Sequence, residues 1–383
     1  MEKYEVIIIG AGASGIMCAL NSTKKTLLLE ASDRIGKKIL ATGNGKCNLT
    51  NDKVDAQYYN TPLVESYFQK FNQVQTLQYF EKLGVLTYAD TEGRRYPLSN
   101  SANTVLDLLL KALQCKNNVV VKVSSMPSTI TKTPNGFQVV TSEQTYVCQQ
   151  LVIATGGNSS TQYLKQLHVD YTVFRPSLVG IKTTRNQGLA GVRVSHVRVK
   201  SSDFDEVGEI LFKEDGISGI VIFNLSAHLA RQHVSTGKII IDLLPNWEAK
   251  RLAAVIQASI AEHPAYYLVD ILEGLLHKSL ARNIVTKLHL ASMLARDCTA
   301  TDVSALVNMI KNFVVIMTGY ADNQQVYTGG VDLKDLDEYL QYQPIPGLFF
   351  IGEVVNVDGV CGGYNLQWAW TSSKIVGDFL SSR

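Results

Sequence analysis

Three glycines near the N-terminus have the spacing of a turn that holds phosphates. They are Gly10, Gly12 and Gly15, with Ala13 and Ser14 between the last two. In a strand–turn–helix unit, the first glycine permits a tight turn, the second lets a pyrophosphate approach the backbone, and the third lets the helix pack on the strand. The free N–H groups of the helix favour an anion. We therefore predict that these five residues line the pyrophosphate of a dinucleotide.

An acidic side chain follows at the distance that such a site requires. Glu30 comes twenty residues after Gly10, directly after the apolar run Thr26–Leu29. Its carboxylate can accept hydrogen bonds from the ribose hydroxyls of an adenosine. The alternative interpretation is a structural glycine turn with an ordinary surface glutamate. The coincidence of strand, turn, helix and acid favours the dinucleotide site.

The glycine pattern alone does not separate NAD from FAD, and three later features favour FAD. The pattern occurs only once, a second apolar strand ends in glycine at Ala154–Gly157, and a third runs into Gly352 and Glu353 near the C-terminus. Sites of this kind bring the two ends of a chain together around a long ligand. We therefore predict FAD, bound non-covalently.

Apolar patterns indicate the elements that must position these residues. Val6–Ile9 and Thr26–Leu29 have the composition of buried parallel strands on either side of a helix, which makes a βαβ unit. Further along, three short strand-like runs predict a three-stranded antiparallel flap. These runs are Val119–Val123, Gly136–Thr141 and Thr145–Val147.

The middle of the chain is strand-like and then helical. After Pro245 apolar residues recur at helical spacing, including an amphipathic stretch over Leu268–Leu294. Thr299, followed three residues later by Asp302, predicts a capped helix start. Near the end, Trp368–Leu380 has the pattern of a closing helix.

Composition excludes several classes of protein. Of 383 residues, 46% are hydrophobic and 18% charged, which excludes disorder as the main state, and the net charge of +2 includes no basic run that could follow a phosphate backbone. Six cysteines without a CxxC pair fit neither a disulfide framework nor a zinc site. We therefore expect a soluble cytoplasmic protein without a metal, a membrane anchor or a nucleic-acid partner.

Longer stretches of the chain resemble a known family. Gly36–Asn51 is similar to the signature GRKLLxSGGGRCNLTN of the BaiN-type flavoproteins, also called aminoacetone oxidase-like FAD-binding enzymes, and Gly352–Trp370 matches their C-terminal signature. Weaker matches lie at Gly93–Ala102 (family GRVFPxSxxA), Glu209–Gly219 (family GELLFTHxGLSGP) and Thr328–Val331. Together they cover nearly the whole chain in family order.

The chain also departs from the family pattern. Lys46 replaces an arginine, which keeps the charge but loses the bidentate fork. Ile220 replaces a proline, and the loop after Gly157 is shorter than in many members. The last two changes fall where residues would line a substrate pocket, so the resemblance does not imply which substrate this chain binds.

The resemblance implies an α/β fold with a Rossmann-type FAD-binding domain in two parts. Residues 1–172 would form its N-terminal part, 173–245 an inserted β-barrel-like domain and 246–319 an inserted helical subdomain. Residues 320–383 would complete the β and FAD-binding domains. Family members are flavin-dependent reductases or oxidases, so the implied chemistry is hydride transfer at flavin N5.

The resemblance also extends the predicted cofactor site. Lys38 would contact phosphate or ribose, although a solvated lysine explains it nearly as well. The loop from Thr42 to Asn48 and the backbone of the 362–366 loop would approach the flavin ring, and Val123 would contact adenine from the flap. Gly352 and Glu353 would lie at the ribityl chain and the phosphates. The remaining predicted residues are Gly43, Gly45, Cys47, Thr155, Gly156, Gly362, Gly363, Tyr364, Asn365 (the preferred side chain of its loop) and Leu366.

Several alternatives stay open at this point. Cys47 and Cys361 could form a redox pair, but small buried side chains are the preferred interpretation. Tyr96, Trp368 and Trp370 could face a substrate or pack in the core. No acid–base residue and no oligomeric state can be assigned.

The predicted function is that of an FAD-dependent oxidoreductase acting on a small organic substrate, either an NAD(P)H-linked reductase or an amine oxidase. Because there is no second dinucleotide fingerprint, NAD(P)H would bind only transiently. The alternatives are a non-catalytic flavin-binding redox sensor and an RNA-modifying flavoprotein.

Overall fold

Strands and helices alternate through most of the chain, and the computed structural model describes residues 1–186, 188–322 and 326–382. The strands are β1 Glu2–Ile9, β2 Thr26–Leu29, β3 Thr50–Asn51, β4 Thr87–Ala89, β5 Arg94–Pro97, β6 Val119–Lys122, β7 Thr129–Thr133, β8 Gly136–Val140, β9 Thr145–Ile153, β10 Thr172–Ser177, β11 Ile181–Thr183, β12 Arg193–Ser201, β13 Phe204–Lys213, β14 Gly216–Ser218, β15 Gly237–Asp242, β16 Phe313–Tyr320, β17 Val326–Gly330 and β18 Leu348–Phe350. The helices are α1 Ala13–Asn21, α2 Glu65–Phe68, α3 Gln73–Lys82, α4 Ala102–Gln114, α5 Thr161–Gln166, α6 Ile220–Arg231, α7 Ala249–Glu262, α8 Leu268–Glu273, α9 Lys278–Lys287, α10 Ala300–Lys311 and α11 Tyr364–Ser382.

The chain divides into two compact units. The first consists of Met1–Arg175 and Val326–Arg383, and the second of Pro176–Gln325. Each has its own apolar core. Among the described helices, none is both long enough and apolar enough to cross a membrane.

The first unit is built on a seven-stranded sheet in the order β6-β2-β1-β9-β8-β7, with β18 paired to β9. Strands β6, β2, β1, β9 and β18 run parallel to one another. Val6–Ile9 and Leu27–Leu29 are at most 2% exposed, as expected for parallel strands covered on both faces. The predicted Rossmann-type βαβ unit is therefore confirmed.

The predicted flap is only partly correct. Val119–Lys122 is not antiparallel but forms the parallel edge strand β6 beside β2, whereas the antiparallel part consists of β7, β8 and the start of β9. The predicted strand at 145–147 and the apolar strand predicted just before Ala154 are one continuous strand, β9. Short valine-rich runs have no strand direction of their own, and pairing with β2 decides it here.

The second unit contains a closed barrel with the strand order β11-β14-β13-β12-β15-β16. Helices α7 to α10 lie between β15 and β16 in the sequence, so the last barrel strand follows them. The predicted stretch over Leu268–Leu294 is two helices, α8 and α9. The predicted capping box is confirmed, because Thr299 Oγ1 accepts from Asp302 N and the Asp302 carboxylate accepts from Thr299 N.

Candidate functional site

The glycine turn between β1 and α1 lies in direct backbone contact with its surroundings. A Cβ atom added at Gly15 would lie 1.8 Å from the carbonyl oxygen of Gly10, and one added at Gly10 would lie 2.5 Å from that of Ala154. No side chain tolerates such distances. The turn is therefore fixed against the end of β9 and leaves no room for a larger residue at either position.

The N-terminus of α1 is open on its outer side. Gly12 is the N-cap, and within the described chain no side chain caps this helix and no acid lies in its first turn, which starts with Ala13 and Ser14. A Cβ atom at Gly12 would meet no described atom within 4 Å. Backbone N–H groups here can therefore bind an anion, and the arrangement fits a pyrophosphate.

Glu30 is held at the end of β2 by the main chain. Its carboxylate accepts hydrogen bonds from the N–H groups of Ala11, at 2.9 Å, and Ser32, at 2.8 Å. A carboxylate offers about four acceptor positions, so two remain for the hydroxyls of a ribose. The side chain thus lies beside the glycine turn in a fixed orientation.

The glycine turn, the start of α1 and Glu30 form the nucleotide end of the site, and two more predicted residues lie beside it. Val123 directly follows β6, and its carbonyl oxygen accepts from Ser125 Oγ at 2.9 Å. Lys122 is paired with Leu29, so Val123 lies next to the end of β2 and not in the flap. On the other side, Thr155 Oγ1 shares a hydrogen bond of 2.7 Å with a neighbouring serine hydroxyl.

The C-terminal part of the chain meets the glycine turn at Gly352. A Cβ atom at Gly352 would lie 2.1 Å from Ser14 Oγ. The Gly352 N–H donates to Ser372 Oγ at 3.0 Å, and its carbonyl accepts from Trp368 Nε1 at 3.1 Å. The structure therefore joins the two ends of the chain at the start of α1.

Glu353 connects three segments of the first unit. Its carboxylate accepts from the N–H groups of Gly157, at 3.0 Å, and Tyr327, at 2.8 Å, and lies 3.3 Å from Lys38 Nζ. A Cβ atom at Gly156 would lie 3.2 Å from both charged groups. Lys38 and Glu353 thus contact each other beside Gly156, and the lysine side chain is 60% exposed.

The loop from Thr42 to Cys47 is a closed turn at the other end of the site. Its ends are joined by a hydrogen bond of 3.0 Å from Cys47 N to Thr42 O, and Thr42 Oγ1 donates to Ile39 O at 2.7 Å. Gly43, Gly45 and Cys47 all have positive φ. Burial raises the pKa of the Cys47 thiol to about 12, so this sulfur is a protonated, buried side chain at neutral pH.

Asn48 carries the clearest signal of a missing partner. The residue is 8% exposed, and its Oδ1 is buried without a hydrogen bond from any described residue. A Cβ atom at Gly363 would lie 2.8 Å from this oxygen. Buried polar atoms are nearly always paired, so an orphan next to two glycine-rich loops indicates a polar ligand. The polar edge of a flavin ring has both donors and acceptors and fits this position.

The C-terminal glycine loop packs against β3. Gly362 O accepts from Asn51 Nδ2 at 3.0 Å, and a Cβ atom at Gly363 would lie 2.5 Å from Thr50 O. Tyr364 is 6% exposed and stacks on Tyr58 with ring centroids 4.9 Å apart. Its side chain is therefore part of the core, and only its backbone is available to a ligand.

Asn365 shapes its own loop. Its Oδ1 accepts from Gly359 N and its Nδ2 donates to Gly359 O, both at 3.0 Å. With both amide atoms bonded to the main chain, this side chain positions the loop. Contacts to a ligand at this point are left to backbone groups of the 362–366 segment, including that of the half-buried Leu366.

The flavin-ring end of the site comprises the loop that leads to Asn48 and the 362–366 segment. The residues that hold this ring end together were not predicted. Asn51 bonds Gly362, and Gln367 accepts from Thr50 Oγ1 at 2.6 Å and donates to Thr76 Oγ1 at 2.9 Å. Gln367 is completely buried. The available signal was a polar amide inside an apolar helix pattern, within the quoted C-terminal signature.

Burial decides between the two interpretations of the tryptophans. Trp368 and Trp370 are 1% and 0% exposed and donate their ring N–H to backbone carbonyls, so they belong to the core. Burial also raises the pKa of Cys361. Across the described ranges, no three His, Cys, Asp or Glu side chains lie close enough together to hold a metal ion.

Comparison with known proteins assigns the chain to a family. A family model described as the HI0933-like protein Rossmann domain matches residues 4–379, almost the full length. The chain is a member of the HI0933-like family. The BaiN-type resemblance seen in the signatures is thereby confirmed.

Named relatives of this HI0933-like protein are similar over their whole length. A 3-dehydro-bile acid delta(4,6)-reductase of Clostridium scindens is 29% identical over 98% of this chain and 98% of its own. A ribosomal RNA dihydrouridine synthase of Escherichia coli is 29% identical over 97% of both chains, and that of Haemophilus influenzae is 28% identical.

Solved structures support the same fold. The 3-ketosteroid-delta4-(5alpha)-dehydrogenase of Rhodococcus jostii has a TM-score of 0.50 at 13% identity, covering 100% of this chain and 97% of that one. Quinol fumarate reductase FrdA of E. coli has a TM-score of 0.50 at 12% identity, covering 100% and 71%. With its family and fold, this HI0933-like protein is an FAD-dependent oxidoreductase.

Proposed function

We propose that the protein reduces a carbon–carbon double bond that is conjugated to a carbonyl group in a small organic molecule, with NAD(P)H as a transient electron donor. The structural observation that supports this proposal is the orphan Asn48 Oδ1 between the two glycine loops, which favours a flavin ring in that position. The proposed substrate class follows from the names of the relatives. FAD, when bound, supplies the hydride-transferring ring.

The protein's own residues would bind and orient the cofactor. The open N-terminus of α1 would hold the pyrophosphate, Glu30 the adenosine ribose, and Asn48 with the 362–366 backbone the polar edge of the ring. Backbone N–H groups directed at that edge stabilise negative charge on a reduced ring. Non-covalent binding is supported by Cys47, whose thiol is buried and protonated.

The names of the relatives favour a reductase over an amine oxidase. Reduction of a 3-oxo delta(4,6) steroid and formation of dihydrouridine both add two hydrogens across a double bond conjugated to a carbonyl. We infer that this common step also occurs here. We further propose a cytoplasmic location, which the cysteine pattern without a CxxC pair supports.

A second candidate is reduction of uridine in ribosomal RNA. Two relatives that match over nearly the full chain are named for that reaction. The balanced charge of the chain, +2 without a basic run, favours a small molecule over RNA.

The test is an anaerobic absorbance experiment on the purified holoenzyme. NADPH or NADH should bleach the flavin bands, and a cyclic enone should restore them without air. Restoration only by unmodified ribosomal RNA would favour the second candidate. A flavin that no nicotinamide donor bleaches, but that amines do, would replace the reductase with an oxidase.

A further inference from the structure

Tyr96 packs against Gly43 in the loop that leads to Asn48, and it does not belong to the predicted cofactor contacts. It is part of β5, next to the loop from Thr42 to Cys47. A Cβ atom placed on Gly43 would lie 3.2 Å from Tyr96 Cε1 and 3.4 Å from Asn48 Cβ. The same Cβ atom would lie 2.9 Å from Asn48 N, so Gly43 is packed closely between Tyr96 and Asn48.

The hydroxyl group of Tyr96 is available for a ligand. It forms no hydrogen bond with the residues that the structure describes, although the side chain is only partly exposed. Its neighbour Tyr88, whose ring centroid is 5.9 Å away, donates its hydroxyl to Asn100 at 2.6 Å. The two tyrosines of this hairpin thus differ in whether the polar end is already bonded.

Burial keeps the hydroxyl group of Tyr96 protonated. Burial raises the pKa of Tyr96, while the positive charge of Arg94 opposes the rise. Arg94 is itself held by Asp90 at 2.6 Å and by Glu92 at 3.1 Å. The phenol is therefore protonated at neutral pH and can donate a hydrogen bond.

We propose that Tyr96 donates a hydrogen bond to the carbonyl oxygen of the substrate and so selects conjugated carbonyl compounds over plain alkenes. The inference rests on the proposed function and names the residue that recognises its substrate class. A donor on the carbonyl oxygen withdraws electrons from the conjugated double bond, which makes its far carbon a better hydride acceptor.

The family pattern indicates a conservative substitution for Tyr96. The family pattern GRVFPxSxxA has phenylalanine where this chain has Tyr96. Tyr96→Phe therefore removes one oxygen atom and leaves a ring that the fold accommodates. Tyr88→Phe is the matched control, because it removes the bonded hydroxyl of the neighbouring ring.

The experiment titrates the oxidised holoenzymes with 2-cyclohexenone and with cyclohexene and follows the flavin absorbance, so that no turnover is needed. Wild type should bind the enone, Tyr96→Phe should bind it about tenfold more weakly, and the alkene should not distinguish the two. Tyr88→Phe should bind both ligands within about twofold of wild type. Equal enone binding by Tyr96→Phe and wild type, or no enone binding by wild type, would overturn the inference.

An infrared measurement keeps the test decisive if Tyr96→Phe retains too little flavin. The carbonyl stretch of enone bound to the wild type should lie at lower frequency than in an apolar solvent, as a hydrogen bond to the carbonyl oxygen requires, and a band at the apolar-solvent frequency would count against Tyr96. Failure of the proposed function is distinguishable. In that case the reduced wild type leaves every enone unreduced, while the Tyr96-dependent binding difference persists.

Discussion

The two ends of the candidate cofactor site are built in different ways. At the nucleotide end, the glycine turn is packed to backbone contact and Glu30 already accepts two main-chain hydrogen bonds. At the ring end, Asn48 buries an oxygen with no partner among the described residues. At the first end the carboxylate of Glu30 has main-chain partners before any ligand binds, whereas at the second end the Asn48 oxygen obtains a partner only from a ligand. An unpaired buried acceptor destabilises the protein, so its presence indicates a functional reason.

The largest effect should follow from breaking the nucleotide end. Gly15→Ala places a methyl group 1.8 Å from Gly10 O and should lower the free energy of unfolding by about 3 kcal/mol, with loss of FAD. Thermal unfolding and the flavin-to-protein absorbance ratio measure both. Gly12→Ala is the control, because its Cβ atom meets no described atom. It should keep the stability but weaken FAD binding, and normal FAD binding would exclude a pyrophosphate at this helix.

Glu30 should contribute to both stability and binding. Glu30→Gln turns an amide NH₂ towards one of two backbone N–H groups, Ala11 or Ser32, and should lower the free energy of unfolding by about 2 kcal/mol. FAD affinity, measured by calorimetry on the apoprotein, should fall roughly tenfold. An unchanged affinity with reduced stability would make Glu30 purely structural.

At the ring end the two effects should have opposite signs. Asn48→Leu removes the orphan Oδ1. The free energy of unfolding of the apoprotein should therefore rise by about 1 kcal/mol, while FAD should bind about tenfold more weakly. Urea titrations with and without FAD measure the difference. If the apoprotein loses stability instead, Asn48 supports the fold and the contrast between the two ends does not hold.

The smallest effect is expected at Lys38. Its ammonium group contacts Glu353, but the side chain is 60% exposed, so Lys38→Met should change the free energy of unfolding by about 0.5 kcal/mol or less. FAD affinity should change less than about threefold. A larger loss that disappears at high salt would instead support the predicted phosphate contact.

Local patterns in the sequence predicted the elements whose shape depends on near neighbours. The glycine turn, the βαβ unit and the capping box at Thr299 are of this kind, because spacing and side-chain chemistry decide them within a few residues. The strand direction of Val119–Lys122 was predicted wrongly, since pairing with a strand about ninety residues earlier decides it. Distant pairing also forms the last barrel strand, β16, which pairs with β15 although four helices separate the two strands in the sequence.

By itself, the sequence determined that the chain has a dinucleotide turn, an acid at the right distance and two glycine-rich signatures at its ends. Only the tertiary structure decided which side chains of those signatures are already hydrogen-bonded within the protein. Asn365 is bonded to Gly359 and Glu353 to the backbone at Gly157 and Tyr327, while Asn48 Oδ1 has no partner among the residues that the structure describes. The physical reason is that a motif fixes the type of a polar group, whereas its partners come from distant segments that meet only in the fold.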